Sequence, residues 1–231
     1  YKAQLDEIRN AAIGRELSAD EILAIRKEII AAQRAFITRG YTDVTNLIVN
    51  PSFEDGLDGW ESVGLKLQSN NDPTIVAYKD GSNYAEKWVG NTEGVGSCSL
   101  LQDVALEAGE YILIAAAQNQ RQGQTWTATN AWLVAGEAQT DVNFMNIYSV
   151  KFALAEAGNV NLGFKCVDAT GNWVSFEAVG LYQKKTTGIG AIEAEAAEAV
   201  YYNLQGCKVN KPEQGIYIVK RGNKVSKEVI R

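Results

Sequence analysis

The spacing of apolar residues changes abruptly near residue 44, and that change restricts the fold more than any composition figure does. Upstream, Ile22, Ile25, Ile29, Ala32 and Phe36 recur every three or four positions, the period of one helix face. Downstream, Tyr148, Val150, Phe152 and Leu154 alternate with Ser149, Lys151 and Ala153. Val160, Leu162 and Phe164 likewise alternate with Asn161, Gly163 and Lys165. Period two belongs to a strand with one buried and one wet face. Further strands are predicted near 63–68, 74–79, 84–89, 97–106, 110–118, 128–134 and 172–182, divided by Gly, Asn and Asp turns. Short antiparallel strands at this spacing predict a mainly β chain, with a two-sheet sandwich over 44–183. Residues 111–117 are apolar on both faces, so their strand belongs in the middle of a sheet whose outer face is also covered.

Residues 1–43 carry seven basic and seven acidic side chains and predict a helical hairpin. Gly14 stops the first helix. Ser18 and Glu21 have the spacing of a capping box, in which each side chain takes up the other's backbone N–H, and a helix over 19–39 follows, closed by Gly40. This hairpin needs a surface to pack on and is a candidate cover for the apolar strand. Residues 184–198 read as a linker, or alternatively as a short helix from Ala191. Residues 199–231 carry a charge of +5 against −8 for 44–192 and predict three short strands, with Gly222 and Asn223 at the tip of a tight hairpin. So small an element cannot bury a core alone and is expected to dock on the sandwich or on a partner.

Composition narrows the chemistry. With 231 residues, 46% of them hydrophobic, the chain can bury a real core. Its net charge of −6 argues against a general grip on nucleic-acid phosphates or anionic lipid. The complete lack of histidine removes Ser-His-Asp and Cys-His catalysis, His-ligated metals and a histidine pH switch. The three cysteines, Cys98, Cys166 and Cys207, are too few for a disulfide scaffold and read as ordinary thiols, the first two in the core by strand parity and the third in a turn. No apolar run reaches the length of a membrane span. The chain begins with Tyr rather than Met, as it would after removal of a signal peptide.

The segment Asn46-Leu-Ile-Val-Asn-Pro-Ser-Phe53-Glu54-Asp-Gly-Leu-Asp-Gly-Trp60 resembles the opening strand of galactose-binding-like jelly rolls, the fold of many carbohydrate-binding modules. Gly109-Glu-Tyr111 at the head of one strand and Asn172-Trp173-Val-Ser-Phe176-Glu177-Ala-Val-Gly-Leu181 at the last sit in the order that family uses. The resemblance implies an antiparallel jelly-roll β-sandwich. It also implies a structural Ca2+ held by Glu54 and Glu177 with backbone carbonyls; the alternative is that both glutamates are solvated or make ordinary hydrogen bonds. Glu177 stands where aspartate is common.

Sugar recognition pairs an aromatic face with planar amide or guanidinium groups. Gln118, Gln120, Arg121, Gln124 and Trp126 supply both kinds after the apolar strand and form the candidate glycan site; otherwise this is a solvated polar loop. Of the five tryptophans only Trp126 is expected to be exposed. Trp60, Trp88 and Trp173 lie in motifs that are core in the family, and Trp132 is expected to point inward with Val134.

The segment Val200-Tyr-Tyr-Asn203-Leu-Gln-Gly206-Cys-Lys-Val209-Asn-Lys-Pro212-Glu-Gln-Gly215-Ile-Tyr217 resembles the C-terminal sorting-type domains of secreted proteins from Gram-negative gut and oral anaerobes. Cys207 departs from that pattern. This resemblance implies a secreted, periplasmic or cell-surface protein. For catalysis only carboxylate pairs among Asp55, Asp58, Asp80, Glu86, Glu137, Asp141 and Asp168 are left, and most lie in predicted turns. The expected function is non-catalytic carbohydrate binding within a saccharide-handling system; the alternative is a surface structural or protein-interaction module with no glycan ligand.

Overall fold

A computed structural model describes residues 1–90, 93–185, 200–203, 206–210, 213–221 and 224–230. The chain divides into two compact units, Tyr1–Lys185 and Thr186–Arg231.

In the first unit, helices α1 (Lys2–Ala12) and α2 (Ala19–Ile37) precede strands β1 (Tyr41–Asp43), β2 (Glu61–Val63), β3 (Lys66–Gln68) and β4 (Tyr84–Trp88). Strands β5 (Gly96–Leu106), β6 (Gly109–Gln120), β7 (Ala131–Ala135), β8 (Ala138–Asp141), β9 (Asn146–Leu154), β10 (Gly158–Ala169) and β11 (Trp173–Lys184) follow. They form two antiparallel sheets. One runs β3-β4-β11-β6-β9, with β1 joined to the same edge of β11 as β4, and the other runs β2-β5-β10-β7-β8. This is the predicted antiparallel jelly-roll sandwich. Alternating inward residues of both sheets make its core, where Phe53, Trp60, Phe164 and Phe176 pack ring on ring at centroid separations of 5.4–6.0 Å.

The six-stranded sheet is apolar on its outer face too, and α2 covers it. Ile30 of α2 packs with Ala116, Ile147, Ala178 and Ala77, flanked by Leu23 and Ile37. Two arginines fasten the helix: Arg26 donates to the Pro73 carbonyl at 2.6 Å, and Arg34 donates to the Ala178 carbonyl at 3.0 Å and lies 3.5 Å from Asp80. The capping box forms, with Glu21 N–H donating to Ser18 Oγ and Ser18 N–H to Glu21 Oε2. The helix nevertheless presents a different face from the one expected. Of the expected stripe, Ile22, Ile29 and Phe36 are exposed, Ile25 is half-buried and Ala32 is buried, while Leu23, Ile30 and Ile37 pack at the sheet. Apolar residues occupy more than one side of α2, and the two arginine anchors settle which side docks. Tyr1 stacks on the outward Phe36 at 4.7 Å, while α1 buries no residue.

Two predicted strands are not strands. Residues 74–79 form turns, with the Asp72 side chain accepting from Thr74 N–H and the Asp72 carbonyl from Ile75 and Val76. Ile75 and Ala77 are buried, so burial alternates as in a strand although the backbone coils. The opening segment after Asn46 is a single 3-10 turn (Thr45–Leu47) followed by turns in which Asn50 and Phe53 are left-handed; the first strand, β1, lies upstream. The region 63–68 is split into β2 and β3, and β8 is an addition.

Among the described residues, the second unit forms a four-stranded antiparallel sheet rather than the predicted three strands: β12 (Val200–Tyr202), β13 (Lys208–Val209), β14 (Gly215–Arg221) and β15 (Lys224–Ile230), in the order β13-β12-β14-β15. Val219 is its buried centre, and Tyr201 meets Tyr217 edge to face. The predicted tip at Gly222 and Asn223 and the linker residues 186–198 lie outside the described residues.

Ile30→Ala removes the side chain that seats α2 on the sheet. We expect a stability loss of about 2–4 kcal/mol by chemical denaturation, and proteolysis confined at first to residues 1–40. Equal protease resistance in the variant and the parent would show that the helix is held by other contacts.

Candidate functional site

The turn after β6 is built around one buried amide. Asn172, fully buried just before β11, accepts the Gln122 N–H through Oδ1 (2.8 Å) and donates through Nδ2 to the Val89 carbonyl (3.2 Å). Its backbone N–H donates to the Gln120 carbonyl, and its carbonyl accepts from Val89 N–H. Asn172 therefore ties the ends of β4, β6 and β11 to the turn that follows β6. Sequence analysis placed Asn172 in a family motif without a role, since an isolated asparagine before a strand carries no signal of its long-range partners.

From this base two tryptophans stand outward. Trp88 ends β4 with 54% of its surface exposed, and its indole N–H donates to Gln122 Oε1 at 2.6 Å. Trp126 is 44% exposed, and the Arg121 guanidinium lies 5.6 Å from its ring centroid, within cation–π range. Arg121 also reaches the Thr170 carbonyl at 3.4 Å. Gln122 and Arg121 are neighbours, so adjacent residues of one turn hold the two indoles. Gln124 is exposed beside them, its N–H donating to the Arg121 carbonyl, and Gln120 is half-buried in one cross-strand row with Trp88 and Trp173.

Several expectations need correction. Trp88 is exposed rather than core, because β4 is followed in the sheet only by the three-residue β3 (66–68), whose register with β4 ends at Glu86. Trp132 lies half-buried on the outer face of the five-stranded sheet, its strand's core face being occupied by Ala131, Leu133 and Ala135. Gln118 is not in the loop at all. It is wholly buried on the covered outer face of the six-stranded sheet, opposite Ser175. Trp60 and Trp173 are buried as expected.

The two proposed metal ligands have different surroundings. Glu54 is exposed and accepts N–H donors from Ser82 (2.7 Å) and Asn83 (3.0 Å) through Oε1. Gly81 makes room for that carboxylate, since a side chain there would collide with it. Glu177 is 1% exposed, and neither of its oxygens has a hydrogen-bond partner among the described residues. The same holds for the side-chain amide of Gln118. Burial pushes the Glu177 carboxyl up to about 9; Lys79 partly offsets this and Asp80 adds to it. Both glutamates thus border the turn 79–83, Glu54 through hydrogen bonds and Glu177 through the charges of Lys79 and Asp80. Lys79 itself donates to the carbonyls of Asn70 and Ser82 and to Asn71 Oδ1.

No protein-family model matches the chain, and no curated protein matches it significantly. Among solved structures it is similar to the carbohydrate-binding module TmCBM61, determined with β-1,4-galactotriose, at 17% identity and a TM-score of 0.44 over 58% of this chain and 95% of that one. It is also similar to a cyclase from Fischerella sp. TAU (15% identity, TM-score 0.45, 62% and 96% covered). A third is the xylan-binding CBM22-1 domain of Paenibacillus barcinonensis Xyn10C (14%, 0.40, 58% and 92%). Likenesses this distant, shared between sugar-binding modules and a cyclase, decide neither ligand nor activity.

The buried Glu177 makes stability depend on pH. Its carboxyl titrates near 4.5 when unfolded and about 9 when folded, so between those values the folded chain keeps a proton that the unfolded chain releases, and stability falls as pH rises. Glu177→Gln removes this dependence. In EDTA, the variant's unfolding free energy by chemical denaturation should exceed the parent's by a margin that widens from pH 4.5 to 9, by up to about 1.4 kcal/mol per pH unit. A margin independent of pH would mean that Glu177 is ionised in the folded chain.

Proposed function

We propose that this chain is an exported, non-catalytic glycan-binding module whose ligand stacks on Trp88 and Trp126. The observation that carries this reading is the pair of outward indoles held at one edge of the sandwich by Gln122 and Arg121. A monomeric fold has no need to fix two large aromatic rings in solvent, whereas the C–H faces of a sugar chain match such rings and its hydroxyls match the amides of Gln120 and Gln124. Two of the candidate carboxylates, Glu86 and Asp80, support a non-catalytic reading. Glu86 accepts from Gln68, Tyr84 and Trp173, and Asp80 faces Arg34, so both are engaged in the fold. Export rests on the resemblance of residues 199–231 to sorting-type domains.

Affinity gels and glycan arrays carrying plant and host polysaccharides test the reading. Trp88→Ala and Trp126→Ala should each weaken binding roughly tenfold, about 1–2 kcal/mol, with Arg121→Ala acting through the Trp126 ring, and with unchanged melts. Absence of binding to any glycan, together with capture of a protein partner by the same surface, would favour a surface protein-interaction module instead.

The calcium implied by the jelly-roll resemblance belongs to this proposal. The two unpartnered oxygens of Glu177 and the exposed carboxylate of Glu54 suit a hard cation, which would keep Glu177 ionised and tie the 50–56 loop to the last strand. Calcium should then raise the melting temperature and EDTA lower it, and Glu54→Gln or Glu177→Gln should abolish the response. Identical melts in calcium and in EDTA would remove the ion from the reading.

A further inference from the structure

Strands β5 and β10 pair in unbroken register from Leu106 and Gly158 to Cys98 and Cys166, after which the register shifts at a bulge and resumes at Gly96 and Ala169. The two cysteines are therefore directly opposite one another, on the core face, at the last pair before the bulge. They are 3% and 2% exposed, and the thiols lie near enough to perturb one another, Cys166 holding the Cys98 thiol down and Cys98 pushing the Cys166 thiol up. Directly opposed residues of an antiparallel pair hold their Cβ atoms about 4.5–5.5 Å apart, and a disulfide needs about 3.5–4.5 Å. The bulge supplies the local freedom for that small approach, because the ladder beyond Cys166 is already interrupted.

We propose that Cys98 and Cys166 close into a cross-strand disulfide when the chain folds in the presence of a disulfide oxidant, clasping β5 to the central strand of the five-stranded sheet. The two S–H bonds and the oxidant's S–S bond break. One S–S bond forms between Cys98 and Cys166, and two protons and two electrons pass to the oxidant, which leaves as two thiols. Exposed Cys207, in the second unit, stays a free thiol. The clasp constrains the unfolded chain between residues 98 and 166 and so stabilises the sandwich. It stands on strand register and burial, independently of any glycan ligand.

The full chain carrying Cys207→Ser, unfolded and then refolded with either oxidised or reduced glutathione, tests this. After refolding with oxidised glutathione, titration in denaturant should find no free thiol where the reduced sample shows two. A peptide pair linked through Cys98 and Cys166 should weigh two hydrogens less than its separate parts. The oxidised chain should melt about 5–10 °C above the reduced one, a difference lost in Cys98→Ala. Two titratable thiols after oxidative refolding, glutathione adducts in place of the linked pair, or a linked form that melts below the reduced form would each overturn the proposal.

Discussion

A sheet that is apolar on both faces cannot be satisfied by a two-layer sandwich, and most of this structure follows from that constraint. Leu113, Ala115 and Ala117 of β6 face the second sheet, while Ile112, Ile114 and Ala116, equally buried, face away from it. Leaving that second face wet would forgo the transfer of several large side chains from water, each contributing about 1.5–3 kcal/mol. The chain covers it with α2 and with the coiled segment that carries Ile75 and Ala77. The helical hairpin is thus a third layer of the sandwich, although α1 buries nothing of its own.

The third layer has an electrostatic consequence. Covering the sheet also covers Gln118, Ser175 and Glu177, which share its outer face. A carboxyl enclosed in this way holds its proton, and an amide without partners costs about 1–3 kcal/mol relative to one in water. Natural folds retain such groups where something outside the polypeptide can satisfy them, which is the physical link between the covered sheet and the cation proposed at Glu177.

At the end of the same sheet the cover stops, and the polar groups there are organised rather than buried. Asn172 joins three strand ends to one turn, and that turn holds Trp88 through Gln122 and Trp126 through Arg121. In the proposed glycan-binding reading, rings held before the ligand arrives lose less entropy on binding. The rigid sandwich supplies the position, and the turn holds the two indoles.

Much of the fold was legible in the sequence because its signals are local. Alternation identified most of the strands, Ser18 and Glu21 announced the start of α2, and the doubly apolar run at 111–117 required a cover. Parity also put Cys98 and Cys166 in the core, but not opposite one another, since register joins residues far apart in the chain. Trp126 is exposed as expected from the sequence, and Gln124 is exposed near it, with Arg121 half-buried against the Trp126 ring. The burial of Gln118, the exposure of Trp88 and the long-range partners of Asn172 were not legible, and most of the stripe expected to dock α2 is not the face that meets the sheet. Periodicity reports which residues share a face; it does not say whether another layer lies over that face. The sequence alone therefore determined the strands, the helices and the pairs of faces, while only the tertiary structure decided which faces meet water, because exposure depends on what packs opposite.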